Sequence, residues 1–306
     1  WLAAGEKVHS VLSAAEFDLA EPFIFPGKPT LHADYEHVKE LVPLLKDKAV
    51  IAVGAGTIND LVKRASFEAS TSYLCFATAA SVDGYTSAGA AIMLNGVKGT
   101  MECPAPIAII ADNEVIANAP FEMTAAGYGD LAAKLTAGAD WHLAAALGEH
   151  PYNEKAWELV QKDLRLWLQN PEKLKDGDPL AMQYLFTGLA NTGFAMQLMK
   201  DSRPASGTEH LFSHVWEMRG ITHNGEEPSH GFKVAIGTLL TTALMETAFS
   251  YSAEEIEKLS NEQKIITKTE REKEIKELLQ GTTFLENALK VALEKFLSGE
   301  KLQERR

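Results

Sequence analysis

His210 and His214 stand four residues apart, directly after Ser206-Gly207-Thr208-Glu209. Residues at that spacing share one face of a helix. Ser206 reads as an N-cap and Glu209 as the partner three residues on, so a capping box should open a helix over residues 209–218. His230 follows in Pro228-Ser229-His230-Gly231, where a second apolar helical stretch begins. Upstream, Gly127-Tyr128-Gly129-Asp130 sets a carboxylate near the expected start of another helix. Neutral imidazoles and one carboxylate make a good divalent metal site with a position left open for substrate. The plainer alternative is packed or surface histidine, which is the reading for His9, His32, His37, His142, His150 and His223. Spacing alone does not bring Asp130 and His230 to the His210–His214 pair.

A second constellation opens at Val53-Gly54-Ala55-Gly56-Thr57-Ile58-Asn59-Asp60, where a strand runs into glycines and then a helix. Glycines let a backbone approach a phosphate closely, and a helix N-terminus offers unpaired N–H groups. The run lacks the third glycine of the dinucleotide fingerprint, so a simple tight turn competes with a pyrophosphate cradle. Small and hydroxyl residues then cluster after the next strand, from Thr78 to Ser87. Ligands of open parallel sheets bind at the carboxyl ends of strands, so this loop and the glycine turn should share an edge. Asp83 could hold a substrate hydroxyl there, or simply cap a helix.

The elements that must position these groups fall into two parts. Apolar runs at residues 23–25, 49–53, 73–77 and 107–111 alternate with helical patterns at residues 35–45 and 58–69. That rhythm predicts a parallel sheet with helices on its faces. From about Pro120 onward helical periodicity dominates, over residues 130–147, 154–168, 180–199, 209–218 and 231–249. Residues 253–306, rich in Glu and Lys, read as solvated amphipathic helices closing the domain. The expected division is an α/β dinucleotide-binding domain over residues 1–120 and a helical metal- and substrate-binding domain over residues 121–306. The opening residues read as mid-helix without an initiator Met, so the chain is expected to begin inside a domain.

Bulk properties narrow the partners. An apolar share of 46% over 306 residues supports a proper core. A formal charge of -13 disfavours nucleic acid and anionic lipid. Two cysteines, Cys75 and Cys103, are too few for a disulfide framework and fit a reduced, cytoplasmic setting. No uninterrupted apolar run reaches membrane-spanning length, and no membrane partner is expected.

Taken in order, Gly54 to Asp60, Thr78 to Ser87, Ala126-Gly127-Tyr128-Gly129-Asp130, Ser202-Arg203-Pro204-Ala205-Ser206-Gly207-Thr208-Glu209-His210-Leu211-Phe212-Ser213-His214 and His230-Gly231 closely resemble the glycerol-1-phosphate dehydrogenases. These belong to the iron-containing alcohol dehydrogenase and glycerol dehydrogenase superfamily, with dehydroquinate synthase a more distant relative. The resemblance implies a Rossmann-like N-terminal domain, an all-α C-terminal domain and an active site in the cleft between them. It implies Asp130, His210 and His230 as metal ligands, with zinc the first expectation and nickel the second. It implies that His214 and Asp83 contact substrate. Gly56, Thr57, Ile58, Asn59, Asp60, Thr78, Ala79, Ala80, Ser81 and Ser87 would line NAD or NADP. A homo-oligomer, dimer or larger, is expected.

The implied reaction is reversible reduction of dihydroxyacetone phosphate to sn-glycerol 1-phosphate, with Lewis-acid help at the ketone oxygen and hydride from the nicotinamide. A proton would pass through His214 or a water chain. Arg203 and Lys233 are candidate phosphate partners by charge and position. The rivals are a dehydrogenase of glycerol or another unphosphorylated polyol, a dehydroquinate-synthase-like lyase, and a non-catalytic binding protein on the same fold.

Overall fold

The computed structural model describes residues 4–94 and 97–305; the first three residues of the expected opening helix lie outside them. Helices α1 (Gly5–Ala14) and α2 (Tyr35–Leu45) lead into β1 (Val50–Gly54), α3 (Gly56–Glu68) and β2 (Tyr73–Ala77). A hairpin follows, β3 (Ala90–Leu94) and β4 (Val97–Met101), then β5 (Ala108–Ala111). Among the described residues every named element after β5 is a helix. The first six of these helices are α4 (Asn113–Ala117), α5 (Phe121–Ala132), α6 (Lys134–Ala146), α7 (Glu154–Gln161), α8 (Leu164–Trp167) and α9 (Glu172–Lys175). Three more follow, α10 (Pro179–Met199), α11 (Thr208–Met218) and α12 (His230–Phe249). The chain closes with α13 (Ala253–Glu262), α14 (Lys268–Leu278), α15 (Leu285–Glu294) and α16 (Gly299–Arg305).

β1, β2 and β5 form a parallel sheet in that order, with Val53 beside Phe76 and Phe76 beside Ile110. Their near-continuous apolar sequences suit parallel strands between covering layers. The expected strand at residues 23–25 does not form. Phe23 packs edge-on against Phe25, which packs in turn on His37 of α2, so the run is spent on side-chain packing. The hairpin β3–β4 had no counterpart in the sequence reading; it pairs antiparallel and stands outside the parallel sheet.

One core runs from the sheet into the helices. It joins Leu61 of α3 and Cys75 of β2 to Leu131 of α5 and Leu185 of α10. α10 starts with Pro179 behind Asp178, whose carboxylate accepts the Ala181 N–H, a standard way to satisfy a helix start. The expected helix at residues 130–147 is two helices, α5 and α6, and α5 begins at Phe121. Asp130 therefore sits in the last turn of α5, not near a helix start. The glycines in Gly127-Tyr128-Gly129 lie inside that helix and serve close packing instead of opening it.

Among the described residues one helix, α12, is long and apolar enough to cross a membrane, with a mean hydropathy of 1.2. The sequence alone predicts no such segment, since Lys233 and Glu246 interrupt the apolar run. In the fold, α12 packs along α5 and α11. Its two contact glycines make that packing tight: a Cβ on Gly231 would sit 2.0 Å from Ala126 O, and one on Gly237 2.3 Å from Glu209 O.

Candidate metal centre and dinucleotide cleft

Three helices converge at one point. Asp130 comes from α5, His210 from the first turn of α11, and His230 is the first residue of α12. One ligand atom from each lies within 4.8 Å of the others. Asp130 is fully buried, His210 nearly so and His230 half-buried, so the point is open on one side. His210 Nε2 is 3.9 Å from Asp130 Oδ1, and the two imidazole centroids are 5.3 Å apart. The close backbone contacts of Gly231 with Ala126 and Gly237 with Glu209 are what allow three helix axes to meet so tightly.

His210 is held from behind. Its Nδ1 is 2.8 Å from Glu209 Oε1, which also accepts the Gly207 N–H at 2.7 Å. Thr136 donates to Glu209 Oε2 at 3.2 Å. Glu209 is fully buried. Burial works against its charge, but the His210 and Gly207 donors hold its carboxyl below the usual value. An ionised carboxylate only accepts, so Nδ1 carries the proton and the Nε2 lone pair is free. Burial also lowers the His210 imidazole, against the pull of Glu209, which favours the neutral form that ligates.

The capping box does not form as expected. Gly207, not Ser206, is the N-cap, and no side chain of its own caps it. Asp140 of α6 supplies the cap instead, accepting from Thr208 N at 2.7 Å and from Thr208 Oγ1 at 2.9 Å. A partner 68 residues away is invisible to a local motif.

Lys134 was missed by the sequence reading. Wholly buried, its Nζ donates to Asp130 Oδ1 at 2.7 Å and to Ala205 O at 3.1 Å, and lies 2.7 Å from Asp83 Oδ2. Asp83 N donates to Asp130 Oδ2 at 3.0 Å. Burial would raise the Asp130 carboxyl, but Lys134 and the two imidazoles outweigh it and hold it low. Burial would equally lower Lys134, and the two carboxylates hold its ammonium above the usual lysine value. The i,i+4 spacing of Asp130 and Lys134 was the available sequence signal.

His214 sits beside the trio, its ring centroid 6.4 Å from that of His210, with a half-exposed side chain. Glu217 gathers this rim. Its Oε2 lies 3.3 Å from His214 Nδ1, and its Oε1 lies 3.7 Å from His230 Nδ1 and 3.0 Å from Lys233 Nζ. Lys233 also meets Glu227 at 2.6 Å, so two carboxylates already neutralise this candidate phosphate partner. Arg203 is half-buried in the stretch before α11.

The predicted dinucleotide residues lie on the segments that follow β1 and β2, and of them Thr78 lines the cleft between the two strand ends. Thr78 N donates to Gly54 O at 3.1 Å, joining the two loops. A cleft of about 620 Å³ opens there, lined by Val53, Gly54, Thr78, Asn118, Pro120 and Met123. Gly56, Thr57, Ile58 and Asp60 are half-buried along the start of α3. Asn59 turns inward, accepting from Tyr73 Oη at 2.8 Å and donating to Gly84 O at 3.5 Å. Ala79, Ala80 and Ser81 are buried. Gly127 of α5 packs directly on Ala80, where any Cβ would fall 1.8 Å from the carbonyl oxygen. Ser87 is buried and donates to Gly84 O. Lys63, also buried, donates to Gly84 O, Ser87 O and Gly89 O and so laces the loop that follows Asp83. From Met123 at the cleft to Asp130 is seven residues of α5, about 10 Å of helix.

A family model for iron-containing alcohol dehydrogenase matches residues 1–120. The chain is 40% identical over 190 residues to a glycerol-1-phosphate dehydrogenase [NAD(P)+] of Geobacillus thermodenitrificans, an alignment that covers 62% of this chain and 47% of that one. It is 37% identical over 245 residues to a glycerol-1-phosphate dehydrogenase [NAD(P)+] of Thermococcus kodakarensis, covering 79% of this chain and 67% of that one. The chain thus spans about half the length of the first relative and about two thirds of the second. Its fold is shared with glycerol dehydrogenase from Schizosaccharomyces pombe, at a TM-score of 0.56 and 19% identity over 84% of this chain and 64% of that one. It is shared too with an iron-containing alcohol dehydrogenase from Thermotoga maritima, at a TM-score of 0.53 and 13% identity over 84% of this chain and 79% of that one. The α/β layer followed by a helical bundle is the architecture common to these proteins, and the chain belongs to the glycerol-1-phosphate dehydrogenase family, among the iron-containing alcohol dehydrogenases.

Proposed function

We propose that this chain carries the catalytic machinery of an NAD(P)H-dependent, metal-dependent reductase that converts dihydroxyacetone phosphate reversibly to sn-glycerol 1-phosphate. The observation that carries the reading is the convergence of Asp130, His210 and His230 within 4.8 Å, with Asp130 on α5, the helix whose Met123 lines the cleft at the sheet edge. One carboxylate and two imidazoles are a borderline-hard donor set suited to zinc or nickel, and zinc is the first choice. Residues 1–120 would hold the dinucleotide, and residues 121–306 the metal and substrate.

When bound, the ion supplies a Lewis acid for the ketone oxygen and the dinucleotide supplies hydride to the ketone carbon. The chain does the rest. Glu209 keeps His210 in the ligating tautomer. Asp83, its Oδ2 2.7 Å from the Lys134 ammonium, receives a substrate hydroxyl. His214, at the open rim, passes the proton that completes the alcohol. The half-buried start of α3 and Thr78 receive the dinucleotide phosphates.

A homo-oligomer, dimer or larger, belongs to the same proposal. Ile236, Leu239, Leu240 and Leu244 leave an exposed apolar stripe on α12, which a second copy would cover. Sedimentation velocity tests this. A cytoplasmic setting fits two free, buried thiols.

The test is His210→Ala in the purified protein. Bound metal and ketone-dependent NAD(P)H oxidation should both be lost while the circular dichroism spectrum stays. A metal-loaded, active variant refutes the site. Comparing dihydroxyacetone phosphate with dihydroxyacetone separates the phosphorylated substrate from a plain polyol, and NADH against NADPH fixes the cofactor.

A further inference from the structure

Lys134 joins three segments of the site through one ammonium: α5 at Asp130, the loop after β2 at Asp83, and the stretch leading into α11 at Ala205. An ammonium has three protons to donate, and here three acceptors surround it with no access to water. A buried cation is costly unless paired in this way. The oxygen it takes from Asp130, Oδ1, is the same one that faces His210 Nε2 at 3.9 Å. A divalent ion among Asp130, His210 and His230 would therefore share an oxygen with Lys134 and be repelled by it at short range.

We propose that Lys134 is a resident counter-cation of the metal site, a positioning residue that holds Asp130 and Asp83 in place before the ion arrives and limits how tightly the ion is held. The proposal rests on the metal reading of Asp130, His210 and His230. Without the ion, one ammonium lies between two carboxylates. With the ion, its share of Asp130 weakens and its hold on Asp83 strengthens. Occupancy of the metal site and the aim of Asp83 at substrate are then coupled through one side chain. A plain buried ion pair would behave differently, because its removal would cost the same stability with and without metal.

The experiment uses zinc alone as probe. Zinc affinity is measured by competition with a chromophoric chelator, and unfolding temperature with and without zinc, for wild type, Lys134→Met, Asp83→Asn and His210→Ala. Lys134→Met should bind zinc about tenfold more tightly or better, because a repelling charge is gone from a poorly screened site. Its unfolding temperature should fall without zinc and recover with it. Asp83→Asn leaves Asp130 as the one carboxylate against Lys134 and should weaken zinc binding about threefold or more, although Asp83 is not a ligand. Unchanged or weaker zinc binding by Lys134→Met overturns the proposal, as does an equal loss of unfolding temperature with and without zinc. Should Lys134→Met fail to fold, Asp83→Asn decides, and unchanged affinity there overturns it. Wild type that takes up no zinc, or His210→Ala that keeps it, brings down the metal reading and this proposal together. Zinc held through His210 with affinity unmoved by both other variants defeats the role of Lys134 alone.

Discussion

Glu209 Oε1 sits 2.8 Å from His210 Nδ1, and this one contact decides which nitrogen of the imidazole looks toward Asp130. Because the carboxylate can only accept, the ring is fixed with its Nε2 lone pair outward. Glu209→Gln, which can present an N–H in place of an oxygen, should flip that preference. Metal affinity should fall about 10–100-fold with little change of fold. Chelator titration of the variant checks this, and affinity equal to wild type would show that His210 needs no orienting partner.

Gly231 permits α12 to lie directly on α5. In Gly231→Ala the new methyl would meet Ala126 O at 2.0 Å, a backbone atom that cannot swing aside. Stability should drop by about 1–3 kcal/mol through overpacking. The His230 ligand should also be pushed off the site, so metal content should fall further than the stability loss explains. Urea unfolding and elemental analysis of the same sample separate the two effects.

Lys63 spends its ammonium on the carbonyls of Gly84, Ser87 and Gly89. Burial pulls its pKa down, against the nearby Asp60 charge. Lys63→Met would strand those buried acceptors, at a cost of about 1–3 kcal/mol for each one left unmet. The loop after Asp83 should become the first site of protease cleavage. A variant as resistant as wild type in residues 84–89 would argue that the loop holds itself.

Burial pushes the Cys75 thiol up to about 12 from an ordinary 9.0, with Lys63 pulling weakly the other way. The native protein should resist thiol reagents at pH 8 and react only on unfolding. The folded state keeps this proton where the unfolded chain loses it. The contribution is thus whole below pH 9 and is lost as pH rises toward 12. Rapid labelling of Cys75 in the folded protein at pH 8 would contradict the burial.

Much of the site could be read from residue types. The strands β1 and β2, the glycine turn, and the helices carrying His210 and His230 follow local patterns with their turns and apolar periods. What could not be read was set at long range. Asp130 looked like a helix opener because glycines preceded it, yet those glycines are contact points inside α5. Ser206 looked like a cap, but Asp140 does the capping. Lys134 carried no motif beyond its spacing from Asp130, and its importance comes from Asp83 and Ala205, 51 and 71 residues away in the chain. The hairpin β3–β4 was overlooked because glycines around it resemble a loop.

The contact of Gly127 with Ala80 is main chain against main chain, with no side chain between to yield or re-pack. Whatever presses the loop after β2 toward α5 must displace the axis of α5 with it. The two segments thus meet at this seam with no slack for closer approach, and a side chain at residue 127 would wedge them apart.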